Sequence, residues 1–321
     1  MLSRVADSLY WMRRYMERAD QIARVVGVNL ELVLDRAPDD VARLWGRLLT
    51  ALRSAPSWAQ VARAPDGDPL TDLASIEAVA SCVAAARENA RQIRQYITGE
   101  MWERINGVSL ALNDPVRRAV WAERPHGYFQ IVRDGAALLD AAVNAGLPRD
   151  QGWHFLQLGV FLERTGSTAR LLTCQMQEAR PATASEVALD EQLEWICLLK
   201  SCDALELYRR RWGAELRSDR IVRFLISDPL SPRSVRYGLD EIARALTALG
   251  TAISNQPRIA VARVVTSAVE SAQSGGFDPI AVVSAVSAEC DRIHGLVYDT
   301  YIDHRRTAAP AASAEAPWLT L

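Results

Sequence analysis

From Leu9 onward, apolar side chains recur at steps of three and four residues: Leu9, Met12, Met16, Ala19, Ala23 and Val26. That is the 3.6-residue period of one helical face turned towards a core. Ser3 stands where an N-cap belongs, and Pro38 lacks the N–H that helix propagation needs, so the pattern predicts a helix over 4–35. A second helix runs from Asp39 or Asp40 through Trp45 and Leu49 to Arg53, and 55–69, rich in Pro, Asp and Gly, reads as a loop. A third helix starts near Ser75, and a further one opens at Thr98 with Trp102, Ile105 and Leu110 as core positions. Asp114-Pro115 restarts a helix, Pro125 interrupts it, and 126–144 follows before the stop at Gly146-Leu147-Pro148.

Asp150 caps a long helix over 151–179, and 180–187 is a linker containing Pro181. Helices over 189–200 and 201–216 follow, joined closely or continuous, then a short one over 221–227. Pro232 lies near the first position of a helix that reaches Leu249. The periodicity places another over 258–271 and a last one from Asp278-Pro279 to Asp303, with an Ala/Pro-rich mobile tail over 305–321. Period-two alternation bounded by turns is absent. The expected fold is all-α, a multi-helix bundle over 1–304.

One polar pattern occurs twice within these apolar stripes. Tyr15-Met16-Glu17-Arg18-Ala19-Asp20-Gln21-Ile22-Ala23-Arg24 is matched by Phe161-Leu162-Glu163-Arg164-Thr165-Gly166-Ser167-Thr168-Ala169-Arg170. Glu17 and Arg24 are seven apart and share a helix face, as do Glu163 and Arg170. The repeat suggests two related halves, 1–146 and 147–304, although the match does not extend visibly beyond these stretches. Charges in such a stripe need partners. Either the two helices cross and each Glu meets the other copy's Arg, a structural network, or the arginines grip a carboxylate or phosphate, with Glu17 and Glu163 as candidate acids or bases.

Composition narrows the chemistry. A formal net charge of −2 provides no general basic field for nucleic acid or an anionic membrane. Lys200 is the only lysine, so nearly every cation is a planar fork suited to carboxylate or phosphate. Cys82, Cys174, Cys197, Cys202 and Cys290 are odd in number and form no Cys-x-x-Cys, which reads as reduced core cysteines in a cytoplasmic protein. No apolar run is long enough to span a bilayer, and the start lacks a hydrophobic signal core.

Further polar positions are candidates for substrate binding beside Arg18 and Arg164. Glu88-Asn89-Ala90 echoes the Glu-Arg-Ala pattern, with Arg91 next to it, and is either a solvated face or part of the same network. Arg233 and Arg236 come at a helix start, where free N–H groups favour anions. No metal site is expected: Glu123-x-x-His126 has Pro125 within it, and Asp35, Asp39 and Asp40 flank a helix cap. No phosphate loop or catalytic triad signature occurs, and no cofactor is implied.

Several stretches together resemble the bacterial alpha-E domain family. They are Ser8-Leu9-Tyr10-Trp11 with Tyr15-Met16-Glu17-Arg18-Ala19, Ala86-Arg87-Glu88-Asn89-Ala90-Arg91, Leu158-Gly159 with Leu162-Glu163-Arg164, and Pro232-Arg233-Ser234-Val235-Arg236. Thr165-Gly166 departs from the pattern where Ala-Asp would be expected. The resemblance implies an all-helical domain, encoded beside or fused to a circularly permuted ATP-grasp ligase, with a transglutaminase-like peptidase also a neighbour. It thus implies an accessory subunit of a peptide or amide-bond-forming system. Two alternatives stand: a helical-bundle enzyme acting on a carboxylate substrate through these Arg and Glu residues, and a network that is purely structural.

Overall fold

A computed structural model describes residues 3–32, 37–52, 73–177, 185–250 and 278–299. Among the described residues there are twelve α-helices, one 3-10 turn and no strand, so the chain is an all-α multi-helix bundle. In chain order the helices are α1 (Ser3–Leu32), α2 (Pro38–Leu52), α3 (Leu73–Gln92), α4 (Gly99–Asn113), α5 (Pro115–Glu123) and α6 (His126–Gly146). They continue as α7 (Gln151–Gln177), α8 (Ser185–Ser201), α9 (Leu205–Trp212), α10 (Ser218–Ser227), α11 (Val235–Leu249) and α12 (Pro279–Val297). The expected loop at 55–69, the first part of the linker expected over 180–187, the helix over 258–271 and the tail lie outside the described residues, and the last three linker positions belong to α8.

Local chemistry sets several helix starts. The Asp114 carboxylate accepts from the Val116 N–H ahead of α5, with Pro115 in the first turn. Asp150 accepts from Trp153 N–H at α7, Ser234 from Tyr237 N–H at α11, and Asp278 from Ile280 and Ala281 N–H at α12. Each side chain satisfies a donor that the helix cannot.

α1 and α7 are the centre of the molecule. α1 packs on α3, α6, α7 and α8, while α7 packs on α1, α2, α11 and α12. Both helices are surrounded, and from Ala19 to Val26 every residue of α1 is buried. Tyr10, Met12 and Met16 are buried completely, and burial of each such side chain stabilises by about 1.5–3 kcal/mol. At the crossing, a Cβ on Gly159 would lie 2.4 Å from the Tyr10 carbonyl oxygen and 3.3 Å from Arg13 Cβ, so only glycine allows the helices this close. Gly159 occupies the place in its Glu-Arg stretch that Arg13 occupies in the first, four residues ahead of the Glu. Equivalent positions therefore meet, and each doublet lies one turn past the crossing. The following helices exchange partners too: α2 packs on α7 and α8 on α1.

Three expectations are corrected. Leu110 is 62% exposed on the outside of α4, although Ile105 is buried and Trp102 partly so. The helices expected over 189–200 and 201–216 are closely joined and not continuous, and the second is shorter, Leu205–Trp212: α8 stops at Ser201, with Asp203 N–H on the Lys200 carbonyl and Ala204 N–H on the Leu199 carbonyl. That is a Schellman-type stop, and Asp203 takes its left-handed position at φ +50°. Pro232 and Arg233 precede α11 and do not begin it, because Ser234 is the cap.

Candidate functional site

The crossing brings the two Glu-Arg doublets together reciprocally. Arg164 donates to Glu17 through Nε and Nη2, both at 2.7 Å. Arg18 donates to Glu163 through Nε at 2.7 Å and Nη2 at 3.0 Å. Each doublet thus supplies a bidentate fork to the other's carboxylate, the geometry arginine is suited to. Each carboxylate has a further arginine. Arg233 donates to Glu17 at 2.8 Å and to Asp20 at 2.7 Å, and its Nη1 also reaches Gln21 Oε1 at 3.1 Å. Arg14 donates to Glu163 through Nε at 3.0 Å and Nη2 at 2.8 Å.

The network continues on both sides. Arg14 Nη1 donates to the Tyr10 hydroxyl at 3.1 Å, and that hydroxyl lies 2.8 Å from His294 Nδ1. On the other side Arg24 bonds Asp20 and, at 3.2 Å, pairs with Asp203, and Arg13 pairs with Asp140. A separate ion-pair cluster ties α2 to α8, where Glu194 accepts from Arg43 at 2.9 Å and Arg47 at 2.6 Å.

Of the candidate residues, Glu17, Arg18, Glu163, Arg164 and Arg233 therefore assemble at the crossing in two ion-pair clusters, Glu17 with Arg164 and Arg233 and Glu163 with Arg18. Glu88, Asn89, Arg91 and Arg236 do not join them. Glu88 and Arg91 pair with each other on the exposed face of α3, Asn89 donates to the Ala85 carbonyl of its own helix, and Arg236 pairs with Asp240 one turn along α11. Val79, Val83, Ala86 and Ala90 form the buried face of α3, which turns positions 88 and 91 outward. Arg14 was missed, although its i,i+4 spacing from Arg18 puts both forks on one face. Asp140 and Asp203 come from distant sequence with no local signal.

Electrostatics argue against proton transfer by the two Glu residues. Burial pushes the Glu17 carboxyl up, but Arg164 and Arg233 outweigh it and hold it at about 2. Glu163 is likewise held at about 2, with Arg14 and Arg18 overcoming burial. A carboxylate with this pKa and its oxygens occupied is a poor acid or base near neutrality. At the Thr165-Gly166 departure Gly166 stands where the first copy has the acid Asp20, and Arg170 Nε donates to the Ala51 carbonyl at 3.2 Å. Burial depresses the Arg170 pKa despite nearby Glu163 and Asp291.

These shifts set an acid sensitivity. Glu17 and Glu163 titrate near 4.5 when unperturbed, so their contribution is fully present above pH 4.5 and is lost as pH falls towards 2. Burial, aided by Arg14, lowers His294 from 6.5 to about 4, so the unfolded chain takes up that proton first and stability falls as pH drops from 6.5 to 4. The expected melting curve series shows a shallow loss of Tm between these two values and a steep loss below pH 4.5. Circular dichroism melts across this range check it, and His294→Gln should remove most of the shallow stage and leave the steep one, the remainder coming from His154, whose pKa burial also lowers.

Among the described residues there is no cluster of three metal-ligating side chains, and no helix is long and apolar enough to cross a membrane. The family model named Alpha-E, described as a predicted alpha-helical domain with a conserved ER motif, matches residues 1–302. The chain is similar to an uncharacterized protein of Mycobacterium bovis, 22% identical over 277 residues, a match covering 79% of this chain and 31% of that protein. Uncharacterized proteins of two Mycobacterium tuberculosis strains match over the same length at 22% and 21% identity. The chain spans about a third of the length of these curated relatives. No solved structure matches.

Proposed function

The chain belongs to the Alpha-E family, and on that footing we propose that it is an accessory helical module of an ATP-grasp-type peptide or amide-bond-forming system, whose paired doublets lock the module's shape. The observation that carries this reading is the reciprocal bidentate pairing of Glu17 with Arg164 and Glu163 with Arg18. Carboxylates so fully engaged are suited to holding helices in register and poorly suited to chemistry. The matched region makes up 31% of the mycobacterial relatives, an arrangement in keeping with a module that works beside other domains. A circularly permuted ATP-grasp ligase is the proposed partner, with a transglutaminase-like peptidase as a further one. A cytoplasmic setting suits the five free cysteines.

The test is ATP-dependent amide-bond formation by a circularly permuted ATP-grasp ligase from the same organism, assayed with and without the chain. The expected result is that the two co-purify, that the chain raises the ligase rate severalfold, and that the chain alone turns over no ATP. Unchanged ligase rate together with no association contradicts the proposal. Turnover of an amino acid or peptide by the isolated chain would favour the enzyme reading instead.

A further inference from the structure

Beside the closed network lies an open cavity of about 350 Å³, within the size range of small-ligand sites. α1 and α6 form two of its walls, and α7, α9, the turn after α8 and the approach to α11 complete it. Five arginines line it, Arg13, Arg24, Arg133, Arg164 and Arg233, against the four carboxylates of Glu17, Asp20, Asp140 and Asp203, a formal excess of +1.

The pairing locates that excess. Glu17 engages Arg164 and Arg233, Asp20 engages Arg233 and Arg24, Asp140 engages Arg13, and Asp203 engages Arg24. Arg133 has no carboxylate of the described residues within ion-pair distance, and its Nε is buried with no acceptor. Arg133 therefore brings an uncompensated guanidinium to the cavity wall, a planar fork that calls for an oxygen-rich anion.

The acids add a second requirement. The Asp140 and Asp203 side chains are 41% and 60% exposed, so they keep accepting capacity towards the cavity. Asp203 is held there at a left-handed backbone position that glycine would fill with less strain. We infer that this cavity binds an anionic α-amino acid, free or at the end of a peptide, its carboxylates towards Arg133 and Arg13 and its ammonium towards Asp140 and Asp203. A ligand of net charge −1 matches the lining, and the paired signs match a group that carries both. The inference deepens the accessory reading by naming the substrate class of the module.

Titration calorimetry of the whole chain with L-glutamate, glutarate and inorganic phosphate tests it. L-Glutamate should bind saturably and more tightly than glutarate, which lacks the ammonium, and phosphate should bind weakest. Arg133→Gln breaks no ion pair among the described residues and should weaken L-glutamate about tenfold or more, with an unchanged circular dichroism spectrum. Asp203→Asn, which tolerates the same backbone, should abolish the preference for L-glutamate over glutarate. The inference is overturned if no probe binds saturably by about 10 mM, if Arg133→Gln binds as wild type does, or if phosphate binds best. An Asp203→Asn chain that still prefers L-glutamate overturns the amino-acid assignment. Binding by the isolated chain without any effect on a ligase would support the site and count against the accessory role, so the two proposals fail separately.

Discussion

Glu163→Leu is expected to destabilise the protein by about 3–5 kcal/mol, the largest effect of any single substitution in the network. Among the described residues its carboxylate is the only acid bonded to Arg14 and Arg18, whose side chains are 11% and 32% exposed. Removing it leaves two guanidinium groups in or near the core with no counter-charge, and that exceeds the net worth of the ion pairs themselves. Glu17→Leu should be milder, because Arg233 keeps Asp20 at 2.7 Å. The origin of the loss can be separated from loss of packing. Adding Arg14→Leu and Arg18→Leu to Glu163→Leu removes the orphaned charges and should restore most of the lost stability, as apolar replacement of buried ion groups often does. Urea titrations read both effects as shifts in midpoint at constant slope. A triple variant no more stable than Glu163→Leu would mean that the arginines are not confined charges.

Gly159→Val is the second large effect. An added Cβ meets the Tyr10 carbonyl oxygen at 2.4 Å and the Arg14 amide nitrogen at 3.3 Å. Both are helix backbone, so no rotamer change relieves the clash and α1 must move away from α7. Overpacking of this kind destabilises by about 1–3 kcal/mol or more, and Val adds branches that Ala lacks. Movement of the helices also stretches the forks between the doublets, so the variant should lose acid-sensitive stability together with packing. Gly107→Ala in α4 is the control: nothing lies within 4 Å of its added Cβ, and the change should stabilise slightly through the unfolded state. Equal Tm values for Gly159→Val and wild type would show that the helices do not approach as closely as described.

Much of this was legible in the sequence because it is local. Asp114, Asp150 and Asp278 cap the helices that their spacing announced. The doubled Glu-Arg pattern inside apolar stripes pointed to mutual pairing, since charge there requires a partner. What remained hidden depends on rotation and on long-range approach. Glu88-Asn89-Ala90 has the letters of the motif, yet the buried face of α3 runs through Val83, Ala86 and Ala90 and turns Glu88 to solvent. Leu110 fits a helical stripe but falls on the open side of α4. The break after Ser201 carries Asp203 where glycine is the usual signal, so the sequence read as nearly continuous helix. The carboxylates of Asp140 and Asp203 reach the arginines of α1 only through tertiary packing.

The doublets bond across the crossing and not within themselves. Double-mutant cycles measure that directly. For Arg18 with Glu163, and for Arg164 with Glu17, the coupling energy should exceed about 1.5 kcal/mol, whereas the adjacent pair Glu17 with Arg18 should couple by less than about 0.5 kcal/mol. Stronger coupling within a doublet than between the two would contradict the reciprocal lock.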